Sequence, residues 1–256
     1  MDGSWRQVLI DSLSLESSDF VLDVATGTAD VAIRMAKKKT LNNVVLGLDP
    51  SERMLELGRI KVRAFQLEDK VQLLLGDAQD MSPTFKDQSF TKISMSFGIR
   101  NVPNRLAALK EFNRILIPKK TSKIGILEFS RPVLGPLSHV AIFFIKYLLP
   151  IIGVLVAGDY TSYKHLADSV MAFPLPHEFV LELQAAGFED CRVENVFLEV
   201  VHLYTCVGKE VVLEKKKAKK EEAKKDEEKE ETKEETKEED DLNDILAQSE
   251  MHLNGL

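Results

Sequence analysis

Three aspartates and one glycine-centred turn, all in the first third of the chain, carry its clearest chemical signal. The stretch Asp23-Val24-Ala25-Thr26-Gly27-Thr28-Ala29-Asp30 sets a glycine among small and polar residues. Gly27 allows the backbone to pass close to a ligand. A dinucleotide site would show G-x-G-x-x-G here, to seat a pyrophosphate on a helix N-terminus. This turn has one such glycine, and Asp30 stands where a diphosphate would bring negative charge. Asp49 follows about 20 residues later, the distance at which an acid meets ribose hydroxyls, and a carboxylate can accept from both. Gly76-Asp77-Ala78 adds a third acid, able to accept from the exocyclic amine of an adenine. Any one of these acids alone is more often a helix cap or a solvated turn residue. Three in register at successive strand ends point to one site. The electrostatics fit a ligand with an adenosine and no phosphate, and S-adenosylmethionine (a sulfonium, an amino acid and an adenosine) is such a ligand.

The elements that must position these residues follow from hydrophobic patterning. Short apolar runs at residues 19–24, 44–49, 71–75, 90–97 and 122–129 predict strands, and periodic segments at 5–15, 31–39, 50–65 and 106–116 predict helices. Pro50 and Ser51 mark a helix start, and Pro118 a helix end. This alternation predicts an α/β fold with a mostly parallel, doubly wound sheet. A helix at 177–186 stopped by Gly187 then precedes two strands, 191–197 and 200–207, read as an antiparallel closing pair.

Other features bound the function. Residues 140–157 are apolar almost throughout, but Lys146 and Pro150 interrupt a run slightly short of a membrane span. A lid or interfacial helix over a greasy substrate is the preferred reading for this stretch, with a transmembrane helix and a plain core helix as the alternatives. From Glu214 the sequence turns to Lys/Glu repeats with no apolar face, so residues 1–210 are read as the folded domain and 211–256 as a disordered or single-helix tail. A net charge of −7 argues against nucleic acid as partner. Cys191 and Cys206 form no C-x-x-C and are read as two reduced thiols. The five histidines form no ligand cluster, so no metal is expected. The N-terminus shows neither signal nor transit peptide, and its closeness to the first strand suggests that a preceding segment is missing.

Longer stretches carry a family resemblance. Val21-Leu-Asp-Val-Ala-Thr-Gly-Thr-Ala-Asp30, Gly47-Leu-Asp-Pro-Ser-Glu-Arg-Met-Leu-Glu56, Ser96-Phe-Gly-Ile-Arg-Asn-Val102 and Leu127-Glu-Phe-Ser-Arg-Pro132 resemble the ubiquinone/menaquinone biosynthesis C-methyltransferase family. Leu149-Pro150, Val156-Ala-Gly-Asp159, Ser162-Tyr163 and Ser169-Val-Met-Ala-Phe-Pro174 do so too, and the likeness spans roughly residues 5–208. The block Phe97-Gly98-Ile99-Arg100-Asn101 is the most specific part. The resemblance implies a Rossmann-like class I methyltransferase with S-adenosylmethionine as cofactor. Thr28, Asp49, Asp77, Ala78 and Ser96 match the family's cofactor-contacting positions, with Asp23 and Met54 behind them. The implied acceptor is a lipophilic quinol, with spellings closer to the menaquinone branch. A peripheral membrane surface, a homodimer or a quinone-synthesis complex would be its partners, in a plastid or mitochondrion if eukaryotic and otherwise in the cytoplasm. The chain departs from the family at Ile117-Pro118-Lys119-Lys120, which lacks the usual glycines, at Thr91 in place of an acid, and at Leu198-Glu199, Tyr204 and Thr205 in the last hairpin.

Carbon methylation of a quinol needs an acceptor ring made nucleophilic by loss of a hydroxyl proton, held in line with the methyl and away from water. Arg100 and Asn101, just past the fourth strand, are the catalytic candidates, with Asp159 and Tyr163 behind them. Arg100 would hold the phenolate or a water. The other reading of Arg100 is an ion pair that pins the loop. A cofactor-binding scaffold without catalysis, or a methyltransferase for another lipophilic molecule, are the competing functions.

Overall fold

The computed structural model describes residues 2–132 and 160–208. The apolar run at 140–157, Asp159, and the tail at 211–256 lie outside the described residues. So does the side chain of Tyr163.

Seven strands form one sheet: β1 (Val21–Val24), β2 (Val45–Asp49), β3 (Val71–Leu75), β4 (Lys92–Ser96), β5 (Lys123–Phe129), β6 (Glu189–Phe197) and β7 (Val201–Val207). Their order is β3-β2-β1-β4-β5-β7-β6. The first five run parallel, β7 lies antiparallel to β5, and β6 antiparallel to β7. The doubly wound sheet with an antiparallel terminal pair is thus observed. Among the described residues six α-helices accompany it: α1 (Asp2–Ser12), α2 (Asp30–Ala36), α3 (Glu52–Ala64), α4 (Arg105–Ile115), α5 (Tyr160–Ala172) and α6 (Pro176–Ala185). Strand β3 begins and ends where the patterning placed it, and most other boundaries move by one to three residues. Helix α5 was not anticipated from the sequence.

The central strands β1, β4 and β5 are buried along nearly their whole length because helices cover both faces, as parallel sheets require. One core, with Leu22, Val24, Ile93, Ile124, Ile126 and Tyr204, packs against α4 and α6 through Phe112 and Phe179. The other, with Val21, Val45, Leu127 and Leu203, packs against α1, α2 and α3. Side chains such as Leu9, Ile10, Phe112 and Phe179 are wholly buried, each worth about 1.5–3 kcal/mol in removed apolar surface. Helix starts are satisfied locally: Ser51 Oγ accepts from Met54 N–H, and Asn104 Oδ1 from Ala107 N–H. Thr91 donates to Asp19 and accepts from Phe20 N–H, fastening the start of β4 to that of β1.

One expectation is corrected. Cys191 and Cys206 are joined as a disulfide. Far apart in sequence, they lie on adjacent antiparallel strands of the β6–β7 hairpin, whose register brings their Cα atoms to 4.2 Å.

The chain leaves β1 towards β2 and β3 on one side and returns through β4 and β5 on the other. The order therefore reverses between β1 and β4, and the carboxyl ends of the strands at such a switch point form a natural crevice.

Candidate active site

That crevice is a cavity of about 620 Å³. Thr28, Asp49, Asp77, Ala78 and Ser96 all line it, as do Asp23, Met54 and Asn101. The ends of four strands bring them together: β1 delivers Asp23 and Thr28, β2 Asp49, β3 Asp77 and Ala78, and β4 Ser96 and Asn101.

The turn after β1 is tightly wound. Ala25, Gly27 and Ala29 all adopt left-handed backbone conformations, with φ of 52°, 54° and 65°. For the two alanines this is unfavourable by about 1 kcal/mol or more each, and such strain gathers where a backbone is shaped for a ligand. The turn is tied to β2 twice, by Thr26 N–H to the Leu48 carbonyl and by Gly27 N–H to Asp49 Oδ2 at 2.8 Å. The other oxygen of Asp49 accepts from Ser51 N–H at 2.9 Å. The carboxylate is thereby fixed in orientation, and each oxygen keeps a lone pair for a further donor. Beneath it, Asp23 accepts from Ser94 Oγ and Thr26 Oγ1, each at 2.7 Å. Complete burial pushes the Asp23 carboxyl up to about 6 in spite of those donors. Asp30 accepts from Lys61 Nζ at 3.0 Å and from Thr28 Oγ1 at 3.1 Å. Burial works against its charge, yet Lys61, Thr28 and Arg6 together hold its carboxyl below the ordinary value. At the end of β3, both oxygens of Asp77 accept from the Gln79 side-chain amide, and Oδ1 also from Gln79 N–H. Ser96 Oγ is buried and has no hydrogen-bond partner among the described residues. A buried hydroxyl without a partner is costly, and Ser96 stands in the wall of the cavity.

Arg100 is placed differently from the expectation. Residues 99–101 form a single helical turn, and Arg100 is not among the residues lining the cavity. Its Nη1 donates to Glu128 Oε1 and to the Phe97 carbonyl, and its backbone N–H to Glu128 Oε2. Glu128 also accepts from Phe129 N–H. The Glu128 side chain is fully buried, and burial raises its carboxyl while the Arg100 charge opposes the rise. These contacts pair Arg100 with Glu128 and tie it to the loop that carries Phe97. Asn101 does line the cavity.

Phe97, not Gly98, makes the backbone turn here: its φ is +58°, whereas that of Gly98 is −113°. Gly98 is needed for space, since a Cβ would come within 2.6 Å of Ala25 Cβ and 2.8 Å of Met95 Cε. The turn puts the Phe97 ring in the cavity wall, stacked on Phe129 at 4.5 Å and edge-on to Trp5 at 6.4 Å. Arg6, next to Trp5 on α1, also lines the cavity. The sequence reading missed both Phe97 and Arg6 as site residues. The positive φ of Phe97 has no sequence signature, and Arg6 sits on a helix distant in sequence from every strand end. Among the described residues no group of three or more His, Cys, Asp or Glu could hold a metal ion, and no helix is long and apolar enough to cross a membrane.

Comparison with known proteins agrees with this geometry. The chain is 35% identical over 205 residues to "Ubiquinone/menaquinone biosynthesis C-methyltransferase UbiE" of Geotalea daltonii, covering 80% of this chain and 85% of that protein. It is 33% identical over 207 residues to "Demethylmenaquinone methyltransferase" of Bacillus cytotoxicus, covering 81% and 85%. Among solved structures, a SAM dependent methyltransferase from Aquifex aeolicus has the same fold, with a TM-score of 0.56 and 18% identity over 78% of this chain and 88% of that one. Residues 1–208 match the profile of the ubiE/COQ5 methyltransferase family. With the doubly wound sheet, the strand-end acids and these relatives in agreement, the chain belongs to the ubiE/COQ5 methyltransferase family.

Proposed function

We propose that this chain transfers a methyl group from S-adenosylmethionine to a ring carbon of a polyprenylated quinol. One observation carries the reading: Thr28, Asp49, Asp77, Ala78 and Ser96 converge on a single cavity of about 620 Å³, a volume suited to a small-molecule ligand. The relatives, named as C-methyltransferases of ubiquinone and menaquinone biosynthesis, supply the acceptor class.

The residues present fit the cofactor. Asp49 accepts the two ribose hydroxyls with its remaining lone pairs, while Gly27 and Ser51 fix its orientation. Asp77 accepts from the adenine amine, with Ala78 leaving room beside it and Met54 covering the ring. Ser96 lines the wall at the end of β4 beside them. When bound, S-adenosylmethionine supplies an electrophilic methyl on its sulfonium.

On the acceptor side, Asn101 hydrogen-bonds the quinol hydroxyl, and the Phe97 ring offers a flat apolar wall that excludes water. Arg100 acts through position: by binding the Phe97 carbonyl and Glu128 it holds the loop that carries both residues. A prenylated acceptor resides in a bilayer, so the chain works at a membrane surface, and the apolar residues 140–157 are the part of the sequence suited to meet it. The menaquinone-type ring is the preferred acceptor.

The test is incubation of the full chain with methyl-labelled S-adenosylmethionine and demethylmenaquinol in detergent micelles, with a demethylated benzoquinol in parallel. Mass spectrometry should find one labelled methyl on the ring carbon of the naphthoquinol. Saturable cofactor binding without transfer to either quinol would overturn the reading.

A further inference from the structure

The cavity is unevenly charged. Four aspartates, Asp23, Asp30, Asp49 and Asp77, contribute to its wall, against one cationic side chain among the described residues, that of Arg6. A methionine moiety brings a sulfonium, an ammonium and a carboxylate. The aspartates suit its two cations. The carboxylate would meet only repulsion from them and needs a donor of opposite charge.

Arg6 stands at the right place for this. It approaches Asp30 to 3.7 Å and acts electrostatically on Asp23, so its guanidinium lies against the turn that joins β1 to α2. Lys61 meets the charge of Asp30 from closer, at 3.0 Å, and also donates to Thr28 Oγ1 at 2.6 Å. Asp30 therefore does not depend on Arg6 for neutralisation. Helix α1 holds Arg6 firmly, because Leu9, Ile10 and Leu13 are wholly buried. Trp5 beside it packs on Phe97, Phe129 and Phe197 at 6.4, 6.4 and 5.1 Å. A guanidinium offers a planar fork of donors that matches a carboxylate.

We infer that Arg6 is the seat of the cofactor's carboxylate, so that α1 binds one end of the ligand while the strand ends bind the other. The assignment rests on the cofactor reading above and adds a subsite to it.

The test is calorimetry on the full chain with S-adenosylmethionine and with decarboxylated S-adenosylmethionine, which differ by that one group. The native chain should prefer the carboxylated ligand by about 10- to 100-fold, the scale of a charge-assisted hydrogen-bonded pair. Arg6→Gln should lose that preference, with the affinity for the decarboxylated ligand unchanged, and Arg6→Lys should regain part of it. Equal weakening of both ligands in Arg6→Gln would overturn the assignment, making Arg6 a support of the turn. An unchanged preference would overturn it as well. If Arg6→Gln fails to fold, the native chain and Arg6→Lys still decide: no preference in the former, or full preference in the latter, refutes the fork. A native chain that binds neither ligand would overturn the cofactor reading and this assignment together.

Discussion

Removing the charge of Glu128 should destabilise the protein by several kcal/mol, although Glu128 is not among the residues lining the cavity. Glu128 is fully exposed to neither solvent nor cavity: it is buried and accepts from the Arg100 guanidinium, the Arg100 backbone and Phe129 N–H. Glu128→Gln keeps the shape but leaves a guanidinium that is itself only 10% exposed without its counter-charge. Breaking a buried pair from one side costs about 3–5 kcal/mol, because the surviving charge stays desolvated. Arg100→Met leaves the carboxylate stranded at similar cost. In the double variant neither charge remains, so the loss should be well below the sum of the two, with a coupling of at least about 2 kcal/mol. Urea denaturation of the four proteins gives this cycle directly. Arg100→Met should also lower turnover while S-adenosylmethionine affinity stays within about twofold, since no cofactor-facing strand end is touched. Additive single-variant losses, each under about 1 kcal/mol, would refute the pinned-loop account of Arg100.

Three further predictions follow from the site and the hairpin. Asp49→Ala should weaken S-adenosylmethionine binding by roughly 10- to 100-fold in calorimetry, the effect of losing a buried acceptor of two hydroxyls. Asp23 has its carboxyl raised to about 6 from an ordinary 3.8, so the stability it contributes is complete below about pH 4 and is lost as pH rises through 6. The difference is worth about 3 kcal/mol, and urea midpoints measured from pH 4 to 7 should fall in the native chain relative to Asp23→Asn, an isostere that cannot ionise. Reducing the Cys191–Cys206 disulfide, which closes a loop of 15 residues, should cost about 2–3 kcal/mol, seen as a lower melting temperature under reductant.

What could be read from the sequence was what depends on local pattern. The strands β1 to β5 are apolar runs bounded by turns, and Asp49 and Asp77 are polar residues that end them, so both the sheet and the cofactor side of the cavity were legible. Pairings across elements were not. Arg100 meets Glu128 because β4 and β5 are parallel neighbours, and nothing in either segment announces a partner 28 residues away. Cys191 and Cys206 meet through hairpin register. Arg6 reaches the cavity because α1 packs its Leu9, Ile10 and Leu13 beneath it, a tertiary fact. The left-handed backbone at Phe97 has no signature in its residue type, and the close packing of Gly98 against Ala25 and Met95 is likewise a tertiary fact.

The central claim is methylation of a quinol ring by this chain, and the quinone pool of cells that lack it tests that claim most directly. Mass spectrometry should show a quinone precursor one methyl lighter than the mature form, cleared by the native chain and not by Asp49→Ala. An unaltered quinone pool in those cells would contradict the account.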